Sequence, residues 1–159
     1  MWRFSHGGRE DEHLLVTADN PMELLGSTGD GGQVDGELGF DLVDDELTLT
    51  GILASPSGAG LGAVLVYCFA DLALGHGHQR VWTRLPGFDV TDFYTGLGFI
   101  QDPLKLQDAL ATSMVPERMS VAEFKIATAG FPLVADASEL RVRARTSFEA
   151  KGWSHTSTS

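Results

Sequence analysis

Residues 37–54 alternate with a period of two. Leu38, Phe40 and Leu42 are set against Glu37, Gly39 and Asp41, and after Asp44-Asp45 the run Leu47, Leu49, Leu53 is set against Thr48, Thr50 and Ile52. Two half-buried strands joined by a tight turn, folded back as an antiparallel hairpin, satisfy that pattern. The period then changes. Residues 63–74 are almost wholly apolar and end at Gly75-His76-Gly77, where glycine can adopt a left-handed cap, so a buried helix is expected. Gln79 to Leu85 is β-branched and aromatic, is closed by Pro86-Gly87, and reads as a strand parallel to the one ending at Ala54, reached by a right-handed crossover. Asp89 suits the cap of a short helix over 90–97, which Gly98 ends before a strand at Phe99-Ile100.

The flanks are less periodic. A first strand is expected at 13–17 and a glycine-rich loop over 26–36. Beyond residue 102 the sequence predicts helices at 104–114 and 120–129, the second boxed by Ser120 and Glu123, and a strand at 140–146. This describes one α/β domain over 1–151 and a polar tail over 152–159 expected to fray.

Charge changes the picture of partners. Of 22 acidic side chains, 12 fall in residues 1–50, against 2 basic ones there, and the formal net charge is −11. Such a field repels phosphate backbones and concentrates cations, which disfavours nucleic acid and favours an amine-bearing partner. The single cysteine, Cys68, lies in an apolar run and reads as a small buried hydrophobe, in keeping with a reducing, cytoplasmic setting. The apolar run over 61–74 is too short for the ~20 residues of a membrane span, and no leader is visible at the start of the chain. His6, His13, His76, His78 and His155 show no metal-ligand spacing, so no metal is expected.

The candidate chemistry begins at Ser57-Gly58-Ala59-Gly60-Leu61-Gly62-Ala63. Closely spaced glycines between a strand and a helix leave backbone N–H groups directed outward at the positive end of the helix dipole, an arrangement suited to a pyrophosphate. It is not the nucleoside-triphosphate loop, which needs Lys-Ser or Lys-Thr after the last glycine where Ala63-Val64 stands. Nor is it the dinucleotide fingerprint, because one residue rather than two separates Gly60 from Gly62.

About thirty residues later comes Phe93-Tyr94-Thr95-Gly96-Leu97-Gly98-Phe99. The loop resembles the coenzyme A loop of the GNAT acetyltransferases, and the second stretch resembles that family's other signature, with helix, strand and helix between them in the family's order. The resemblance covers residues 37–102. It implies a GNAT-like mixed central sheet flanked by helices, with a shortened N-terminal region and an extended C-terminal part. It further implies acetyl-coenzyme A held by Ser57, Gly58, Ala59, Gly60, Leu61, Gly62 and Ala63, and Tyr94 near the thioester as proton donor to the departing thiolate. Ser57 stands where the family has Arg or Gln, and Gly87 where many members have a coenzyme-contacting Asn.

An alkyl amine must lose a proton before it attacks a thioester, and Glu46 or Glu37, directly or through water, are the candidate bases. The expected function is acetyl transfer to an amine of a small molecule or protein, and a homodimer is compatible with it. Two alternatives stay open. One is a GNAT-like module that binds without catalysing. The other is a vicinal-oxygen-chelate fold, whose helix end the stretch from Asp92 to Phe99 also resembles.

Overall fold

The expected hairpin stands at the centre of the sheet. The computed structural model describes residues 1–7, 9–20, 22–28, 34–54, 58–84, 91–102, 104 and 132–158. Its strands are β1 (Trp2–His6), β2 (Arg9–Asn20), β3 (Glu23–Thr28), β4 (Val34–Val43), β5 (Glu46–Ala54), β6 (Arg80–Arg84), β7 (Ile100–Gln101), β8 (Pro132–Asp136) and β9 (Trp153–Thr158). Its helices are α1 (Leu61–Gly75), α2 (Thr91–Gly96) and α3 (Ala137–Glu149). The nine strands form one sheet in the order β7-β8-β6-β5-β4-β3-β2-β1-β9. Every described pairing is antiparallel except β5 with β6, across which α1 makes the crossover. This is the expected mixed α/β architecture; five strands precede the first helix, and the βαβββ module of the vicinal-oxygen-chelate alternative is not found among the described residues.

The β4–β5 turn consists of Asp44 and Asp45 at φ of 51° and 63°, the two left-handed positions of a type I′ hairpin. One detail departs from strict alternation. Gly39 pairs with Gly51 but Phe40 pairs with Leu49, so Thr50 is an extra residue and β5 bulges there. The bulge inverts the phase of the strand: Leu47 and Leu49 face the core, Ile52 packs against it, and Leu53, expected inside, is 66% exposed.

One face of the sheet carries Phe4, Leu14, Val16, Leu24, Leu38, Phe40, Leu49 and Val81, all buried. α1 covers the core with ten buried residues of its own, Cys68 among them, and α3 packs along α1. Being apolar on nearly all sides, α1 is a helix that needs two layers around it.

Several expectations are corrected here. The segment over 140–146 is helix, not strand: Leu140, Ala144 and Phe148 are buried at helical spacing, while Arg141, Arg143 and Arg145 lie on the outer side and imitate a strand's alternation in sequence. Asp136 caps this helix by accepting from the Glu139 N–H at 3.0 Å. Residues 26–28 and 34–36 belong to β3 and β4 rather than to a loop, and the first expected strand is the middle of the longer β2, preceded by β1. The polar tail is β9, paired with β1 from Trp153 to Thr158. The helices expected at 104–114 and 120–129 lie outside the described residues apart from Leu104, as do the expected cap Asp89 and the Pro86-Gly87 turn.

The C-terminal elements are tied to the front of the chain by one carboxylate. Asp71 on α1 accepts from Trp2 Nε1 on β1 at 2.8 Å and from Arg141 on α3 at 2.9 Å. Beside it Phe4, Tyr67 and Phe148 meet edge-to-face, and the His155 ring packs tilted against Phe4 and Tyr67.

Candidate active site

Parallel strands joined by a helix leave a crevice beyond their carboxyl ends, and β5 with β6 is the only described pair of that kind. The two are paired only at Thr48 with Trp82 and Leu49 with Thr83. The bulge at Thr50 follows immediately, and β5 runs on to Ala54 with no β6 partner among the described residues. The described pairing of the two strands therefore ends at Leu49 and Thr83.

This end of the pairing is pinned by side chains. Thr83, 1% exposed, donates from its hydroxyl to the Leu49 carbonyl at 3.1 Å, which ties the last paired residues of the two strands. The Tyr94 hydroxyl is hydrogen-bonded to the Thr83 side chain. Tyr94 itself is 4% exposed and makes edge-to-face contacts with Phe93 and Phe99 at 5.4 and 5.7 Å. Burial pushes its phenol above the usual value and the bond to Thr83 offsets part of that rise, so the group is protonated at neutral pH. The motif that carries Tyr94 has a backbone reason as well. Phe99 N–H bonds to Tyr94 C=O and Gly98 N–H to Thr95 C=O, with Gly98 at φ 99°, which is a Schellman closure that needs glycine at that place.

At the far end of β5 lies the glycine loop, of which Gly58 to Ala63 are described and Ser57 lies outside the described residues. Gly58 and Gly60 have φ of 81° and 89°, and Gly60 is the N-cap of α1. No side chain caps the helix, and its first turn holds no acid. A Cβ on Gly58 would meet no atom within 4 Å, which leaves the backbone open on that side. A Cβ on Gly62 would touch the Phe93 ring at 3.4 Å, so α2 abuts the start of α1. Backbone N–H groups at an uncapped helix start are the kind of group a pyrophosphate needs.

On the opposite face of the sheet, at the start of β5, a cavity of about 350 Å³ is lined by Asp41, Asp44, Glu46, Thr48, Trp82 and Thr83 among others. Trp82 is held by donating Nε1–H to Asp102, a carboxylate only 8% exposed, at 3.0 Å. Glu46 stands on the wall of this cavity and Tyr94 does not, so the structure does not bring the two into one described pocket. Glu37, the other candidate base, lines a separate cavity of about 440 Å³ with Met22, Glu23 and Leu53.

Sequence reading missed Trp82, Thr83 and Asp102 because only the β5–β6 register and the β6–β8 pairing bring them together. It also missed Trp153, although a large aromatic in a polar tail is a sign of anchoring. No group of three or more His, Cys, Asp or Glu side chains that could hold a metal occurs among the described residues. No helix among them is long and apolar enough to cross a membrane.

No family model matches the chain, and no curated protein matches it significantly in sequence. Solved structures similar to it include a protein from the yellow fever mosquito Aedes aegypti assigned as arylalkylamine N-acetyltransferase 7, at 12% identity and a TM-score of 0.49, over 73% of this chain and 64% of that one. Nourseothricin acetyltransferase is similar at 17% identity and a TM-score of 0.49, over 84% and 87% of the two chains. The KacTA–DNA complex is similar at 16% identity and 0.48, over 78% and 74%. The chain thus spans a little under two thirds of the mosquito protein's length. At these scores the likeness carries no inference about function, which rests on the chain's own geometry.

Proposed function

We propose that this chain is a divergent GNAT-type N-acyltransferase that transfers an acetyl group from acetyl-coenzyme A to a cationic amine. The observation that supports it is the β5–β6 unit: β5 leads to a glycine loop at the uncapped start of α1, and the last described β5–β6 pair carries Thr83 with Tyr94 beside it. Acetyl-coenzyme A, when bound, supplies an acyl thioester. The chain's residues do the rest. Gly58 to Ala63 offer backbone N–H groups to the pyrophosphate, and β5 beyond Leu49, which has no β6 partner among the described residues, offers an extended edge to an amide-bearing arm. Tyr94, kept protonated by burial, holds the proton that a departing thiolate needs, and Thr83 orients its hydroxyl.

The acceptor enters from the other face. Asp41, Asp44 and Glu46 favour a cation at that cavity, Trp82 offers it an aromatic wall, and Glu46 takes the proton that the ammonium must lose. Acid and base then reach the reacting atoms from opposite sides of the sheet, so they need not share a pocket.

The direct test is release of free thiol from acetyl-coenzyme A in the presence of polyamines, aminoglycosides, lysine peptides and neutral amines. Cationic acceptors are expected to be used preferentially, with a KM that rises with salt. One observation favours a second reading, a coenzyme-binding module without transfer: the Tyr94 hydroxyl is spent on Thr83 and lies off the cavity wall. Coenzyme binding with no acceptor-dependent thiol release would put that reading in place of the first.

A further inference from the structure

The glycine loop has a neighbour from the other end of the chain. After α3 the backbone turns through Lys151 and Gly152 into β9, and Trp153, 3% exposed, donates its indole Nε1–H to the Ala59 carbonyl at 2.9 Å. A Cβ on Gly60 would lie 2.9 Å from Lys151 Cβ and 3.3 Å from Trp153 Cδ1, so the loop and this turn are in close contact and only glycine fits at the N-cap. The turn is held in its own right. His6 on β1 bonds through Nε2 to the Lys151 carbonyl at 2.8 Å, its ring meets Trp153 edge-on at 5.1 Å, and Gly7 N–H bonds to the Gly152 carbonyl at 2.9 Å.

We infer that Trp153 is a positioning residue for the coenzyme loop: its bond to Ala59 fixes the loop in the conformation that presents the α1 N-terminus to an anion. Ala59 lies between the two left-handed glycines, Gly58 and Gly60. A carbonyl fixed at that point sets the orientation of the peptide that joins Ala59 to Gly60, and with it the N–H groups on either side. Without the bond two glycines would leave the loop free among many conformations, and ordering it would fall on the ligand as a loss of affinity. The inference rests on the reading of the loop as the coenzyme site. It adds that the site is completed by a strand that stands at the far edge of the sheet, outside the segment over 37–102 that carries the sequence signatures.

The experiment compares Trp153→Phe with Trp2→Phe. Both delete an indole N–H bond of a buried tryptophan in the β1–β9 pair, but Trp2 bonds to Asp71 on the body of α1 rather than to the loop. Coenzyme A dissociation constants are measured by calorimetry, and amide hydrogen exchange at residues 58–63 is followed in the ligand-free proteins. Trp153→Phe is expected to weaken coenzyme A binding by about tenfold, to speed exchange in the loop, and to raise the KM for acetyl-coenzyme A with kcat retained. Trp2→Phe is expected to lower the melting temperature to a similar degree and to leave the affinity within about twofold. Equal losses of affinity in the two variants, or no loss in Trp153→Phe, would overturn the inference. If Trp153→Phe fails to fold, His6→Ala loosens the same turn from β1 and is expected to weaken binding and speed loop exchange in the same way; unchanged values there would overturn it equally. A wild-type protein that binds no coenzyme A would remove the underlying reading, and the inference with it.

Discussion

Tyr94 meets two demands at one place. As part of the core it needs its hydroxyl satisfied, and Thr83 does that; as a proton donor it needs to stay protonated, and burial does that. The two roles separate in Tyr94→Phe. Loss of one buried hydrogen bond costs about 1 kcal/mol of stability, because Thr83 keeps its bond to Leu49. Turnover is expected to fall by about 100-fold, with the coenzyme dissociation constant nearly unchanged. Wild-type kcat in the variant would leave Tyr94 a core residue only. The glycine loop permits a second separation. Gly60 is a poor place to add a charge, because a side chain there collides with Lys151 and Trp153 whatever its effect on a ligand. Gly58 has the same sign of φ and open space, and Asp tolerates the left-handed region better than most residues. Gly58→Asp is therefore expected to weaken coenzyme A binding by more than tenfold while the protein still melts cooperatively, and an unchanged affinity would reduce the loop to a turn.

Among the elements, α3 departs most from its sequence expectation. The run Leu140-Arg141-Val142-Arg143-Ala144-Arg145 has a period of two over six residues, which a strand satisfies. A helix satisfies it too once Ala137, Leu140, Ala144 and Phe148 are counted together and Val142 is allowed to stand 63% exposed. The decisive sign was at its start, where Asp136 and Glu139 have the spacing of a capping pair. The cap has a pH signature. Its bonds to the Glu139 N–H and to Ser138 hold the Asp136 carboxyl below its usual value of 3.8. Its ionic contribution is therefore present above that pH and is lost as pH falls through the lowered folded value. Asp136→Ala is expected to destabilise the protein by about 1 kcal/mol at pH 7, and by less when both proteins are compared below pH 3.8; Asp136→Asn should restore most of the loss and flatten the pH dependence. Chemical denaturation at the two pH values checks both statements. The hairpin, by contrast, was legible down to its turn because Asp44 and Asp45 are the residues that a tight hairpin asks for. The bulge at Thr50 was not, since nothing local distinguishes one threonine of Thr48-Leu49-Thr50 from the other.

In the whole molecule, what could be read from sequence followed the locality of the cause. The run from β4 to β6 is built from consecutive neighbouring strands, and its hairpin and parallel β5–β6 pair followed from periodicity and connection rules, whereas β8, which stands between β6 and β7, was not foreseen. The two motifs gave the loop and Tyr94. The acceptor-side cavity was only half legible: Glu46 was a candidate for its chemistry, whereas Trp82 and its support on Asp102 depend on register. The closure of the sheet at its far edge was not legible at all, because β9 pairs with β1 across nearly the whole length of the chain, and polar residues such as Ser154, Thr156 and Ser157 give no hydrophobic signal.

Whether the glycine loop and the end of the β5–β6 pair form a coenzyme A site is tested most directly by the melting temperature of the wild-type protein with and without acetyl-coenzyme A. A ligand that binds only the folded state stabilises it by about 2.7 kcal/mol when present at 100 times its dissociation constant. For a chain of this size that is a rise of roughly 5–10 °C. The account predicts such a rise with acetyl-coenzyme A and with free coenzyme A, and its loss in Gly58→Asp; an unmoved melting temperature at millimolar ligand would contradict it.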